Sequence, residues 1–151
     1  MLLSICIPTY NRALNLYNCL HSIKIASKLV NKNLFEVCIS DNSSNDESKN
    51  IYKKFNKYFN LKYKKNKQNI GISKNFINVT KMAEGEYIWL IGDDDLLLPN
   101  SLKKCIDLLE TNNKVDFFYV NAFHLDINYV KRFKKPFDTK YLPKNMLKFS
   151  N

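Results

Sequence analysis

Apolar runs alternate along this chain with segments in which apolar residues recur at helical spacing. The runs predict strands over residues 2–7, 34–39, 61–63, 87–91 and 115–120. The segments between them predict helices, one of which covers about 73–83. Continuous apolar strands that alternate with helices are typical of a parallel sheet covered on both faces. The pattern therefore predicts an α/β fold.

Polar residues and proline mark where the helices begin and end. Asn11 and Asp46 are expected to cap the first two helices, and Pro99 fits the first turn of the last one. The third helix is expected to carry Phe76, Ile77 and Thr80 on one face. After about Asp126 the pattern fades, and residues 131–151 form a basic, aromatic segment with no clear element.

The length suits one domain with a real core. We expect this domain to cover residues 1–125 and a basic, aromatic tail to cover 126–151. None of the four cysteines lies in a CxxC pair, so we expect reduced core thiols and a reducing, cytoplasmic compartment. No segment resembles a signal peptide or is apolar for long enough to cross a bilayer.

The net charge of +10 would usually indicate a nucleic acid or an anionic membrane as partner. Nearly all of it comes from lysines spread through the chain, and Arg12 and Arg132 are the only arginines. Because asparagine is abundant too, we interpret the charge as a compositional bias and expect no nucleic-acid partner. Weak attraction to phosphates or acidic lipid head groups stays open as an alternative.

Function in open α/β sheets gathers at the carboxyl ends of the strands. Here residues 8–11 follow the first predicted strand, Asp41 and small polar residues follow the second, and Asp93, Asp94 and Asp95 follow a later one. An aromatic ring such as Tyr10 can stack on a base, and carboxylates with a divalent ion can hold a diphosphate. Together these side chains suit a nucleoside diphosphate compound bound with a metal.

The small number of glycines excludes dinucleotide-binding oxidoreductases and P-loop enzymes. Only Gly71, Gly85 and Gly92 are present, so neither a GxGxxG fingerprint nor a Walker loop can be written. The two histidines, His21 and His124, lie far apart in sequence. A catalytic Cys-His pair therefore has no local support.

Several motifs taken in order resemble the amino-terminal part of a family 2 glycosyltransferase with the GT-A fold. The segments that carry the resemblance are 4–11, 36–46, 69–75, 83–88 and 92–95, followed by Pro99. Their order and spacing agree from about Leu3 to Leu109. The resemblance implies a GT-A-like, Rossmann-like sheet, a nucleoside-diphosphate sugar as donor, and a glycan or lipid-linked acceptor in cell-surface polysaccharide synthesis.

The resemblance also implies roles for residues near the nucleotide. Pro8 and Tyr10 would line the nucleobase, with Tyr10 stacked on it, and Thr9 and Asn11 would complete the same segment. Asp41 would bind the base or the ribose.

The aspartate triplet would hold the metal, Mn²⁺ or Mg²⁺. Asp93 would contact the ribose or the metal shell, Asp94 would ligate the metal at the diphosphate, and Asp95 would support it or face the sugar. Many relatives carry aspartate where Gly92 stands, and Asn42 replaces a frequent second aspartate.

The general base of the family comes from a later segment than the donor-binding half. Asp126 and Asp138 are candidates for it by residue type alone, and we expect the acceptor half to be missing or reduced. One alternative is a binding module that holds the nucleotide without turnover, which depends on whether a carboxylate after Val120 reaches the sugar. The other is a basic nucleic-acid binder, which would need a clustered basic stripe.

Overall fold

The computed structural model describes residues 1–112, 116–125 and 132–134 of the chain. The chain divides into two compact units, Met1–Thr111 and Asn112–Asn151. The predicted domain boundary at residue 125 stays a prediction. No helix among the described residues has both the length and the apolar character that a membrane span requires.

A four-stranded parallel sheet in the order β3-β2-β1-β4 forms the centre of the first unit. Its strands are β1 Leu3–Thr9, β2 Phe35–Asp41, β3 Leu61–Lys65 and β4 Tyr87–Leu90. Ile5 on β1 pairs with Val37 on one side and with Trp89 on the other. Every residue of β1 and β2 is buried, which explains their uninterrupted apolar runs. The predicted parallel α/β sheet is confirmed.

Four helices accompany the sheet, and their bounds are α1 Ala13–Ala26, α2 Ser48–Phe55, α3 Ile72–Thr80 and α4 Ser101–Thr111. A short 3₁₀ turn, Ser27–Leu29, follows α1. Helix α3 packs on β1 and β2, where Val79 clusters with Cys6 and Cys38. Helix α1 contacts α2 and α4. All four cysteines are buried and free of disulfides.

The expectations about helices α1, α3 and α4 were wrong in detail. The cap position of α1 is Arg12, because the Asn11 side chain is engaged elsewhere. Helix α4 begins at Ser101, two residues after Pro99, because a turn from Leu98 to Ser101 comes first. The buried residues of α3 are Asn75 and Val79, whereas Ile77 is 54% exposed. The predicted face, with Phe76, Ile77 and Thr80, is therefore displaced by one residue from the face that is buried.

The predicted strand over 115–120 is wrong for residues 116–120, which the structure assigns to no strand. Phe117 is 72% exposed and Tyr119 is 50% exposed, so these aromatic residues do not form a buried strand. An apolar run by itself does not distinguish a core strand from an exposed segment. Val115 lies outside the described residues.

The second unit contains a short antiparallel pair that the sequence did not predict. Strand β5, His124–Leu125, pairs with β6, Arg132–Lys134. Two strands of two and three residues leave too little periodicity to recognise in a sequence.

A buried polar network joins β1, β2 and the loop before β4. The Ser4 hydroxyl donates to Glu36 Oε1 at 2.7 Å and accepts the Gly85 N–H at 2.8 Å. The Glu84 N–H also donates to Glu36 Oε1, at 2.7 Å. Lys62 Nζ lies 2.7 Å from Glu36 Oε2 and 2.8 Å from Glu84 Oε1. This network fixes the amino-terminal ends of the central strands.

We expect Gly85→Ala to lower the free energy of unfolding by about 2 kcal/mol, as overpacking does. A Cβ at this position would lie 2.7 Å from the Ser4 N and 2.8 Å from the Leu3 carbonyl carbon, and backbone atoms cannot move aside cheaply. Urea unfolding measures the change. The control is Gly71→Ala, where a Cβ meets nothing within 4 Å and only the φ of 81° causes strain. Equal losses in the two variants would contradict the steric explanation.

Candidate functional site

A cavity of about 470 Å³ opens beside the carboxyl end of β1. Its volume lies within the range of about 300 to 1,000 Å³ that is typical of small-molecule sites. Five of the residues predicted to bind nucleotide or metal line this cavity: Pro8, Thr9, Tyr10, Asp93 and Asp94. The fold therefore brings together the segments that follow β1 and β4.

Tyr10 offers an aromatic surface to the cavity. The residue is 43% exposed, although it follows a fully buried strand. Phe76 and Ile72 of α3 line the same cavity, and Ile72 is 74% exposed. Planar and apolar surfaces of this kind suit a nucleobase, because any base presents a face that can stack.

Asp93 lines the cavity, and its side chain is only 5% exposed. The Thr9 hydroxyl donates to its Oδ2 at 2.8 Å, and Arg12 Nη1 lies 3.0 Å from its Oδ1. Burial raises the pKa of Asp93, with a further contribution from Asp94, and outweighs the lowering by Thr9 and Arg12. Both carboxylate oxygens of Asp93 are therefore engaged by protein groups.

Asp94 is the exposed carboxylate of the cavity, with a side chain 51% exposed. Arg12 Nη2 lies 2.9 Å from its Oδ2. Its Oδ1 lies only 2.6 Å from the position that a Cβ on Gly92 would occupy. The glycine at position 92 thus provides the room in which this Asp94 carboxylate lies.

Asp95 does not line the cavity. Its Oδ2 accepts the Gly92 N–H at 2.7 Å, and its own N–H donates to the Gly92 carbonyl at 3.2 Å. The side chain therefore closes the turn that presents Asp94. Metal ligation by Asp95 stays a prediction.

The donor set fits a divalent ion that takes few ligands from the protein. Among the described residues, no three His, Cys, Asp or Glu side chains are grouped so as to hold a metal by themselves. Mg²⁺ and similar ions usually take one or two carboxylates and complete their shell with phosphate oxygens and water. The exposed carboxylate of Asp94 meets that smaller requirement.

Asp41 lies at the end of β2 and is 1% exposed. Its Oδ1 accepts the Ser44 N–H at 2.7 Å, and its Oδ2 accepts the Tyr63 hydroxyl. Burial, together with this bond to Asp41, raises the pKa of Tyr63. Asp41 does not line the cavity, and its contact with a base or ribose stays a prediction.

Amide side chains line the cavity instead, although no binding role was predicted for them from the sequence. Asn42 is 4% exposed, donates to Asn69 Oδ1 at 2.8 Å, and accepts the Ile70 N–H at 3.0 Å. Asn75 on α3 is 3% exposed and donates to the Ser40 carbonyl at 2.9 Å. The available signal was that Asn42, Asn69 and Asn75 all belong to the segments that carry the family resemblance.

The loop after β1 is anchored to the loop after β2. Asn11 has a φ of 50°, in the left-handed region that asparagine tolerates. Its N–H donates to Ser44 Oγ at 2.8 Å, and its Oδ1 accepts the Asn45 N–H at 2.9 Å. Asn11 does not line the cavity, so it supports the loop that does.

Asp46 fixes the starts of two helices. Its Oδ1 accepts the Ser48 N–H at 3.1 Å, at the first residue of α2, but the cap position of α2 is Glu47, one residue later than predicted. Its Oδ2 accepts the Ala13 N–H at 2.8 Å, at the first residue of α1. Because α1 begins beside the cavity, Asp46 also helps to place Arg12.

The sequence alone predicts no role for Arg12, because its charge is one of many positive charges spread through the chain. The structure places the Arg12 guanidinium between the carboxylates of Asp93 and Asp94. Asp126 and Asp138, the candidates for the general base, lie outside the described residues.

The family model described as glycosyl transferase family 2 matches residues 4–150 of the chain. Abequosyltransferase RfbV of Salmonella typhimurium is 40% identical over 105 residues, which cover 68% of this chain and 31% of the relative. This chain therefore spans about a third of that relative's length.

Solved structures agree with this result. The crystal structure of S. aureus TarS residues 1–349 in complex with UDP superposes with a TM-score of 0.69 at 28% identity, covering 75% of this chain and 33% of that one. The mannosyltransferase PcManGT of Pyrobaculum calidifontis, in complex with GDP-Man and Mn²⁺, gives a TM-score of 0.63 at 19% identity, covering 71% and 32%. The second likeness concerns the fold alone.

Proposed function

The chain belongs to glycosyltransferase family 2, and on that premise we propose that its cavity binds a nucleoside-diphosphate sugar together with a divalent metal. The intact protein would transfer the sugar to a glycan or lipid-linked acceptor in cell-surface polysaccharide synthesis. The relatives support this proposal, because one is named as an abequosyltransferase and another was crystallised with UDP.

The observation that carries the proposal is the grouping of Tyr10, Asp93 and Asp94 around one cavity of about 470 Å³. An exposed ring, a half-exposed carboxylate and a buried carboxylate line this one cavity. The ring would stack on the base, and Asp94 would hold the cation at the diphosphate. Asn42 and Asn69 would then offer amide donors and acceptors to the base or the ribose.

A divalent ion held by Asp94 would neutralise charge that develops on the diphosphate leaving group. Thr9 and Arg12 hold the Asp93 carboxylate in one orientation. The general base for the acceptor hydroxyl would be Asp126 or Asp138, which remains a proposal from residue type alone.

We further propose that the chain works in the cytoplasm, at the inner face of the membrane when its acceptor is lipid-linked. The four buried thiols without disulfides are compatible with a reducing compartment. Attraction of the basic surface to acidic head groups would support such a location.

Thermal unfolding with a panel of nucleoside diphosphates and Mn²⁺ tests the donor site. A ligand present at 100 times its dissociation constant stabilises the native state by about 2.7 kcal/mol. We expect one nucleotide to raise the melting temperature in Mn²⁺, and EDTA to remove the shift. The proposal fails if no member of the panel moves the melting curve while Mn²⁺ is present.

A further inference from the structure

We propose that Arg12 exchanges its partner during donor binding, so that its guanidinium leaves Asp94 for the diphosphate when the cation takes that carboxylate. This inference deepens the proposed function and rests on it. Arg12 then competes with the metal for the Asp94 carboxylate before the donor binds. It binds the diphosphate once the donor is present.

Two ion pairs of the Arg12 guanidinium supply the first argument. Nη1 lies 3.0 Å from Asp93 Oδ1, and Nη2 lies 2.9 Å from Asp94 Oδ2. A guanidinium and a divalent ion that approach Asp94 compete for the same carboxylate, because each needs its lone pairs and its negative charge. A metal that binds Asp94 through Oδ2 therefore requires that Nη2 withdraw.

The two contacts are unequal, which indicates the one that opens. Asp93 has a side chain 5% exposed and accepts a second hydrogen bond from Thr9 at 2.8 Å. Asp94 has a side chain 51% exposed, and its ion pair with Arg12 reaches solvent. Exposed ion pairs are worth little, so the link to Asp94 opens easily while the link to Asp93 remains.

The backbone around Arg12 is held, so the exchange requires only side-chain rotation. The Ala13 N–H donates to Asp46 Oδ2 at 2.8 Å, and the Asn45 N–H donates to Asn11 Oδ1 at 2.9 Å. The Arg12 carbonyl accepts the Leu16 N–H at 2.9 Å. The guanidinium, with a side chain 45% exposed, therefore turns about a fixed base.

Charge and geometry favour a diphosphate as the second partner. The charged side chains that line the cavity are Arg12, Asp93 and Asp94, so Arg12 supplies its positive charge. A guanidinium matches adjacent phosphate oxygens with parallel N–H donors, whereas an ammonium acts as a point charge. With Nη1 on Asp93, the freed Nη2 lies beside the carboxylate that holds the cation.

Arg12→Gln should change the affinities for two probes in opposite directions. Calorimetric titration with Mn²⁺ alone should show binding about threefold tighter than in the wild type, because the competing exposed ion pair is gone. Titration with inorganic pyrophosphate in saturating Mn²⁺ should show binding about tenfold weaker, the factor expected when one charge-assisted hydrogen bond is lost. Lys32→Gln removes the same charge at an exposed position away from the cavity and should leave both affinities unchanged.

The outcomes separate the exchange from the proposed function. If wild-type protein binds Mn²⁺ and pyrophosphate but Arg12→Gln changes neither affinity, or weakens both, the exchange is overturned and the donor site stands. If the wild type fails to bind pyrophosphate both with and without metal, the donor site is wrong and the exchange is wrong with it.

A measurement on the wild type keeps the test independent of how the variant folds. The chain has two arginines, Arg12 and Arg132, so their side-chain N–H signals can be assigned by NMR with Arg132→Lys. Magnesium pyrophosphate should shift the Arg12 signal and leave the Arg132 signal in place. An unmoved Arg12 signal at saturating magnesium pyrophosphate would overturn the exchange.

Discussion

Asp94→Asn is expected to weaken metal-dependent nucleotide binding by about 100-fold or more, since replacing even a residue that supports a metal ligand typically costs about 10 to 100-fold. The amide keeps the shape of the side chain but removes the negative charge that a hard divalent ion requires. Calorimetric titration of the nucleotide that stabilises the wild type, in Mn²⁺ and in EDTA, measures the loss. Unfolding stability should change little, because the side chain of Asp94 is half exposed.

Asp107→Asn is the matched control, because Asp107 has a side chain 49% exposed and also pairs with a basic residue, Lys103. It should bind nucleotide as the wild type does. Asp95→Asn distinguishes support of the Gly92 turn from metal ligation. Weakened nucleotide binding together with lower stability would indicate that Asp95 supports the turn. Equal loss of nucleotide affinity in the Asp94 and Asp107 variants would contradict a metal site at Asp94 and indicate a diffuse electrostatic surface.

Lys62→Met is expected to lower the free energy of unfolding by about 3 kcal/mol, the cost of leaving a buried charge without its partner. Glu36 is fully buried, and Lys62 Nζ lies 2.7 Å from its Oε2. Burial alone would raise the pKa of Glu36, but the hydrogen bonds from Lys62, Ser4 and the Glu84 N–H hold it below its usual range. Urea unfolding at neutral pH measures the loss.

Two further variants test this explanation. Glu36→Gln combined with Lys62→Met should recover part of the stability, because no unpaired charge remains. Lys103→Met breaks an exposed pair in which both side chains are nearly half exposed, and should cost less than about 0.5 kcal/mol. Equal losses in Lys62→Met and Lys103→Met would contradict the role of burial.

The pH dependence of stability follows from the lowered pKa of Glu36. A carboxyl whose pKa is lower in the folded state stabilises the protein above its unfolded pKa of about 4.3, and this contribution is lost as the pH falls through the folded pKa. Glu36→Gln should therefore show a smaller loss of stability on acidification below pH ~4.

The sequence predicted the central sheet well because β1 and β2 are buried on both faces. Their strands had to be continuous apolar runs, and such runs are recognisable without knowledge of tertiary contacts. Residues 8–10 and the aspartates after β4 could be located for the same reason, since the ends of parallel strands meet at one edge. Five of the predicted residues accordingly line one cavity.

Long-range contacts account for what the sequence did not predict. Asn11 and Asp46 each form a hydrogen bond between the segment after β1 and the segment after β2. Local capping patterns therefore described only part of their contacts. Asp41 is occupied by Tyr63, which lies 22 residues away. Arg12 forms ion pairs with carboxylates that lie more than 80 positions further along the chain. None of these pairings leaves a periodic signal in the sequence.

A crystal structure of the chain with Mn²⁺ and the stabilising nucleoside diphosphate tests the central claim most directly. Anomalous scattering from manganese should place the ion about 2.1 Å from a carboxylate oxygen of Asp94, a typical distance for a small divalent ion. The base should lie against Tyr10, within the cavity that Asp93 and Asp94 line. Manganese bound away from Asp94, or a nucleotide bound outside this cavity, would contradict the account.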